Sequence, residues 1–143
     1  MTWLTVMDHR GASFDLKALK GRPHAYVFLP GAFTPVCTQE VKALNEIYVK
    51  FIDLETPVFA VTCDAPIVLA AWKEVNGLDL PLLSDFWPHG ALASRHSAFD
   101  DISGRCRRVT VVRDAEGVTV YREQSDLSDA RDMQKLAKVL EDL

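Results

Sequence analysis

The chain has 143 residues, 48% of them hydrophobic and 25% charged, with a formal net charge of −4. That length suits one domain over residues 1–143 with a core of its own, and the acidic balance gives no reason to expect nucleic acid or an anionic membrane as partner. No apolar run approaches the ~18 residues of a membrane span, the first ten residues are too mixed for a secretory leader, and three cysteines make no disulfide framework, so a reducing, cytoplasmic setting is expected.

Up to Pro23 the pattern is weak: Ser13-Phe14-Asp15-Leu16 suggests a short strand and Ala18-Leu19-Lys20-Gly21 a turn. His24-Ala25-Tyr26-Val27-Phe28-Leu29 then reads as a buried strand, short, aromatic and β-branched, with proline and glycine on both sides. After a loop containing Pro30, Gly31 and Thr34, Val41, Leu44, Tyr48 and Phe51 recur at helical spacing, and Ile47 and Ile52 widen that apolar face. The spacing predicts a helix over residues 35–54, with Pro35 in the first turn, where the missing N–H is not needed. Pro57-Val58-Phe59-Ala60-Val61-Thr62 is a second buried strand, ending at Cys63. Asp64 is the expected N-cap of a helix over 65–75, with Pro66 in its first turn and Gly77 just past its end. Strand, helix and strand in this order imply a parallel pair with a right-handed crossover.

The second half is less regular. Pro81-Leu82-Leu83-Ser84 suggests a short strand, residues 85–90 a turn and 91–96 a small helix. Strands over 107–113 and 118–121 flank Asp114-Ala115-Glu116-Gly117, a hairpin signal. A closing helix over 128–140 gathers Met133, Leu136, Ala137 and Leu140 on one face. The predicted class is α/β with a thioredoxin-like element order: a central mixed β-sheet flanked by helices.

This order has a geometric consequence for the cysteines. Parallel strands end at the same sheet edge, which brings the ends leading to Cys37 and Cys63 together. A strand from Arg107 running antiparallel to them starts at that edge and brings Cys106, Arg107 and Arg108 near Cys37. Arg107 and Arg108 alternate across the strand, so only one of them can face the sulfur. Cys37 itself falls where a loop enters a helix, and free N–H groups at a helix N-terminus favour a thiolate. An arginine beside it adds a charge that does not titrate away. The pattern describes an activated thiolate.

Pro30, Thr34 and Cys37 fit the PxxxTxxC motif of the peroxiredoxins, and Phe33-Thr34-Pro35-Val36-Cys37-Thr38 resembles that family's FTPVC loop. Ser84-Asp85-Phe86-Trp87-Pro88-His89-Gly90-Ala91 is similar to a stretch of the AhpE-type, largely one-cysteine branch of the AhpC/TSA family. Arg108, six residues before Asp114, matches the family's late arginine in placement. The resemblance implies a thiol-dependent peroxidase without cofactor, in which Cys37 attacks a peroxide oxygen and becomes a sulfenic acid. It assigns the stabilisation of the reacting oxygens to the Thr34 hydroxyl, the N–H groups of Val36 and Cys37, and Arg108. Pro30 shapes the pocket and limits solvent, and Glu40, one helical turn after Cys37, orients the arginine. The implied partners are a peroxide, a low-molecular-weight thiol or redoxin as reductant, and a second copy of the chain in a homodimer. The Gly-x-x-Ala-Pro-x-Phe opening common in the family is absent; only Ser13-Phe14-Asp15-Leu16 is similar to it.

Several readings stay open on the residues alone. Cys63 and Cys106 are either buried small side chains or resolving cysteines for the oxidised Cys37. With no cysteine in the C-terminal tail, a one-cysteine cycle is the preferred expectation. A thiol-disulfide exchanger shares the fold order, but the motif CxxC is missing and Thr34 stands at its first position. A redox sensor without turnover is a further alternative. The four histidines show no metal-ligand spacing among themselves or with the cysteines, so no metal is expected. Trp87 and His89 read as packing and loop residues, suited to a dimer contact.

Overall fold

A computed structural model describes residues 4–53 and 55–143 of the chain. The order is β1 (Thr5–Asp8), β2 (Ser13–Asp15), a 3-10 turn (Leu16–Leu19), β3 (His24–Phe28), α1 (Pro35–Asp53), β4 (Val58–Thr62), α2 (Pro66–Asn76) and β5 (Leu82–Ser84). There follow α3 (Ala91–Arg95), β6 (Phe99–Asp100), β7 (Arg105–Cys106), β8 (Arg108–Arg113), β9 (Thr119–Ser125) and α4 (Met133–Glu141).

Seven strands form one mixed sheet in the order β2-β1-β5-β4-β3-β8-β9. β3 pairs in parallel with β4, and β4 with β5, while β8 runs antiparallel to β3 with Phe28 opposite Val109. This is the expected parallel pair with a returning strand beside it. Side chains alternate strictly across the central strands, as the period of two requires. Ala25, Val27, Val58, Ala60, Leu82 and Val112 face a core built with Val41, Leu44, Phe51, Leu69, Trp72 and Leu136. Tyr26, Phe28, Phe59, Val61, Leu83, Val109 and Val111 face the other, which holds Val6, Leu16, Leu92 and Ala98. Each large apolar side chain removed from water contributes about 1.5–3 kcal/mol, so both layers hold the sheet.

Departures from the expected elements have local causes. Strand β1 was not expected: only Val6 of its four residues is buried, so no run of apolar residues marks it. Asp64 does not cap α2, whose N-cap is Ala65; the Asp64 carboxylate instead accepts from Ala32 N–H at 2.8 Å. Gly77 closes α2 in the left-handed conformation, as expected. Helix α4 begins at Met133 rather than near Ser128, with Asp132 as its N-cap accepting from Gln134 N–H at 2.9 Å. The predicted end of α1 at Leu54 lies outside the described residues.

Candidate active site

The loop between β3 and α1 is held at both ends. Leu29 N–H donates to the Val61 carbonyl at 2.8 Å, and the Ala32–Asp64 bond fixes the loop to the residue just beyond Cys63. Phe33 holds φ at 65°, a left-handed conformation uncommon for a bulky side chain. The Thr34 hydroxyl donates to the Gly31 carbonyl at 2.7 Å, closing the turn, and Thr34's own carbonyl accepts from Thr38 N–H at 2.9 Å. Val36 and Cys37 therefore fall at the second and third positions of α1, where N–H groups have no intrahelical acceptor. On the far side of this turn, Trp72 of α2 is fully buried and donates from its indole to Thr38 Oγ1 at 3.2 Å. The start of α1 is thus tied to the strand ends, to α2 and to itself.

Cys37 is fully buried, packed with the α1 side of the core. Arg108 is buried too, and its Nη1 lies 3.6 Å from Cys37 Sγ. Arg107, which precedes β8, is exposed and donates its N–H to the Ala98 carbonyl at 2.6 Å. Of the two arginines, it is Arg108 that faces the sulfur. The same Nη1 of Arg108 forms a very short ion pair with Glu40 Oε1, and its Nη2 donates to the Leu127 carbonyl at 2.8 Å.

Glu40 is also buried, a place a carboxylate occupies only when paired. Its second partner is Arg131, a residue for which the sequence reading gave no role. Arg131 N–H and Nε each donate to Glu40 Oε2 at 2.7 Å, and Nη2 donates to Oε1 at 3.0 Å. Arg131 further reaches the Phe28 carbonyl at 2.8 Å and Thr110 Oγ1 at 3.2 Å. Two buried guanidinium groups thus share one carboxylate. The three charges sum to +1, which a negative charge on the Cys37 sulfur would cancel. One signal for Arg131 was present in the sequence: a cation in the first turn of a predicted helix opposes the helix dipole, and the real helix starts only after it.

A cavity of about 500 Å³ opens beside this cluster, within the usual range for small-molecule sites. Pro30, Thr34, Pro35 and Val36 line it on one side, and Cys106, Arg107, Arg108 and residues 124–127 on the other. The expected site residues Pro30, Thr34, Val36 and Arg108 therefore share one cavity, with Cys37 and Glu40 beneath it. The Thr34 hydroxyl is not a free donor, since its proton goes to Gly31; its oxygen is left to accept. Cys63 and Cys106 come together on the opposite face of the sheet, with Sγ atoms 3.6 Å apart and both thiols buried. Trp87 is exposed, and His89 ties its own loop through Phe86 and Gly104 carbonyls.

The AhpC/TSA family model matches residues 2–122. Alkyl hydroperoxide reductase E of Mycobacterium tuberculosis is 30% identical over 129 residues, which span 90% of this chain and 84% of that protein. The mitochondrial thioredoxin-dependent peroxide reductase of Drosophila melanogaster is 27% identical over 96% of this chain and 61% of its own length. Among solved structures, Enterococcus faecalis AhpC superposes with a TM-score of 0.89 at 25% identity, covering 99% of this chain and 88% of that one. The fold is thioredoxin-like, with its mixed sheet flanked by helices, as the element order implied. With motif, topology and late arginine in agreement with these matches, the chain belongs to the AhpC/TSA family, the peroxiredoxins.

Proposed function

We propose that residues 1–143 act as one thiol-dependent peroxidase domain in which Cys37 reduces hydrogen peroxide or an organic hydroperoxide. The observation that carries this reading is the Arg108 guanidinium 3.6 Å from the Cys37 sulfur, at the floor of a cavity lined by Pro30, Thr34 and Val36. The thiolate sulfur attacks one peroxide oxygen in line, the O–O bond breaks, and the departing oxygen takes a proton to leave as water or an alcohol. Cys37 is left as a sulfenic acid. Negative charge moves from sulfur to the departing oxygen in this step, so donors already fixed around both atoms lower the barrier. Arg108 and the N–H groups of Val36 and Cys37 are those donors. Thr34, its own proton given to Gly31, accepts the hydrogen bond of the hydroperoxide O–H and so orients the attacked oxygen.

Glu40 and Arg131 do not reach the substrate in this scheme. Glu40 aims Arg108, and Arg131 holds Glu40 with three of its N–H groups. Pro30 walls the cavity and removes a backbone donor that would otherwise bring water toward the sulfur.

The cycle closes through an external thiol or redoxin: its sulfur attacks the sulfenic acid, water leaves, and a second thiol resolves the mixed disulfide. A one-cysteine cycle is supported by the placement of Cys63 and Cys106 on the sheet face opposite Cys37. The three free cysteines suit a reducing compartment such as the cytoplasm, and among the described residues no helix is long and apolar enough to cross a membrane. Exposed Phe86 and Trp87 give a homodimer an apolar contact. The test is peroxide consumption with dithiothreitol as reductant. The wild type turns over many equivalents and Cys37→Ser consumes none; a Cys37→Ser protein that still turns over peroxide overturns the assignment.

A further inference from the structure

Cys63 and Cys106 are left unused by the chemistry at Cys37, yet their arrangement is specific. Cys63 follows the last residue of β4 and Cys106 ends β7, forty-three positions apart in sequence. The two sulfurs are nonetheless in van der Waals contact at 3.6 Å, shielded among Phe28, Val61 and Val109. Closing to the ~2.05 Å of a disulfide needs a movement of under 2 Å. Cys106 lines the cavity that also meets Thr34 and Arg108, while Cys63 keeps 7% of its surface exposed against 1% for Cys106.

We propose that Cys63 and Cys106 form a second oxidisable centre, a dithiol that closes to an intramolecular disulfide when peroxide persists in the cavity. In this step the sulfur of Cys106, a residue that lines the cavity, attacks a hydroperoxide, becoming a sulfenic acid while water or an alcohol leaves. Cys63 then attacks that sulfur, the S–O bond breaks and water departs. One hydroperoxide is reduced and two thiols are oxidised to one disulfide. This centre does not depend on Cys37, which lies across the sheet. It is also slow. The hydrogen bond that the Cys106 thiol gives to the Cys63 sulfur, followed by burial and the nearby carboxylates of Asp85 and Asp64, pushes the Cys106 thiol well above its ordinary range, and only the thiolate is a good nucleophile. The bond would join two supports of the Cys37 site: Asp64, next to Cys63, anchors Ala32, and Arg108 lies two residues beyond Cys106.

The test is peptide mapping of the full chain after exposure to hydrogen peroxide in about tenfold molar excess, followed by alkylation and trypsin without reductant. The expected product joins the peptide of residues 51–73 to that of residues 106–107. It accumulates in the wild type after Cys37 is oxidised, and it forms equally in Cys37→Ser, which separates this centre from the peroxidase reading. Cys63→Ser abolishes it and leaves extra oxygen on Cys106. Recovery of Cys63 and Cys106 as alkylated thiols from peroxide-treated wild type overturns the proposal, as does a cross-link from either of them to Cys37. Both of these readings come from the unmodified sequence and do not depend on any variant folding.

Discussion

Replacing Glu40 by Gln separates two roles that a buried carboxylate between two arginines can have. In the native protein its oxygens accept from Arg108 Nη1 and from Arg131 N, Nε and Nη2. The amide of Gln keeps the shape but offers one oxygen, and its N–H groups must point at one of the guanidinium groups. One buried cation then loses its partner, which costs about 3–5 kcal/mol, a large part of a typical total stability of about 5–15 kcal/mol. In urea, where slopes for small proteins are about 1–3 kcal/mol/M, the unfolding midpoint should fall by about 2 M. The kinetic outcome discriminates more sharply. If Glu40 only neutralised charge, Glu40→Gln would leave more positive potential at Cys37, and peroxide would react as fast or faster. If Glu40 aims the Arg108 guanidinium, the reaction slows by about a hundredfold, as an ångström of misplacement can do. The assay is rapid mixing with peroxide under native conditions, with the folded state checked by circular dichroism. Trp72, bonded to Thr38 beside Cys37, serves as the fluorescent reporter. A Glu40→Gln protein that is less stable yet reacts at the wild-type rate would refute the positioning argument.

Three further outcomes follow from the same geometry. Arg108→Ala should slow the peroxide reaction about 10²–10³-fold, as loss of one fixed transition-state donor does, whereas the exposed Arg107→Ala should stay within about twofold; competition kinetics would compare them, and equal effects would contradict the assignment. Thr34→Val removes the bond to Gly31 and about 1 kcal/mol and should slow peroxide attack, while Thr34→Ser restores both stability and rate. His96 packs against Tyr26 and Phe28, and burial holds its ring neutral down to about pH 4, against an ordinary value of about 6.5. Between those values the unfolded chain binds a proton that the native chain refuses, so stability contributed by the neutral ring is lost as pH falls. His96→Phe should therefore gain thermal stability relative to wild type as pH drops from 6.5 toward 4; a constant difference would contradict this.

The parts of the fold legible in the sequence are those where burial is one-dimensional. β3 and β4 are short apolar runs bounded by Pro and Gly, and α1 carries its apolar face at an unbroken helical spacing. Polar edge strands were not legible: β9 extends through Arg122, Glu123, Gln124 and Ser125, residues that read as loop until β8 pairs with them. In the site, Cys37 and an arginine near it were named because the loop-to-helix junction and strand direction restrict where they can go, whereas the roles of Pro30 and Thr34 and the choice of Arg108 over Arg107 came from the family motif. Glu40 was reached through the family pattern. Arg131 was missed because its partners, Glu40 and Phe28, lie 91 and 103 positions away, and no local pattern carries that distance. For Cys63 and Cys106 the shared sheet edge was foreseen, but alternation sent them to the opposite face and to each other.

The central claim is that the Cys37 sulfur takes the oxygen. Wild-type protein mixed with a single equivalent of hydrogen peroxide, trapped with a sulfenic-acid reagent and mapped by mass spectrometry, tests it most directly. The account predicts the trapped oxidised sulfur on Cys37 alone, with Cys63 and Cys106 still thiols at that dose. Oxidation appearing first on Cys63 or Cys106, with Cys37 unmodified, would contradict it.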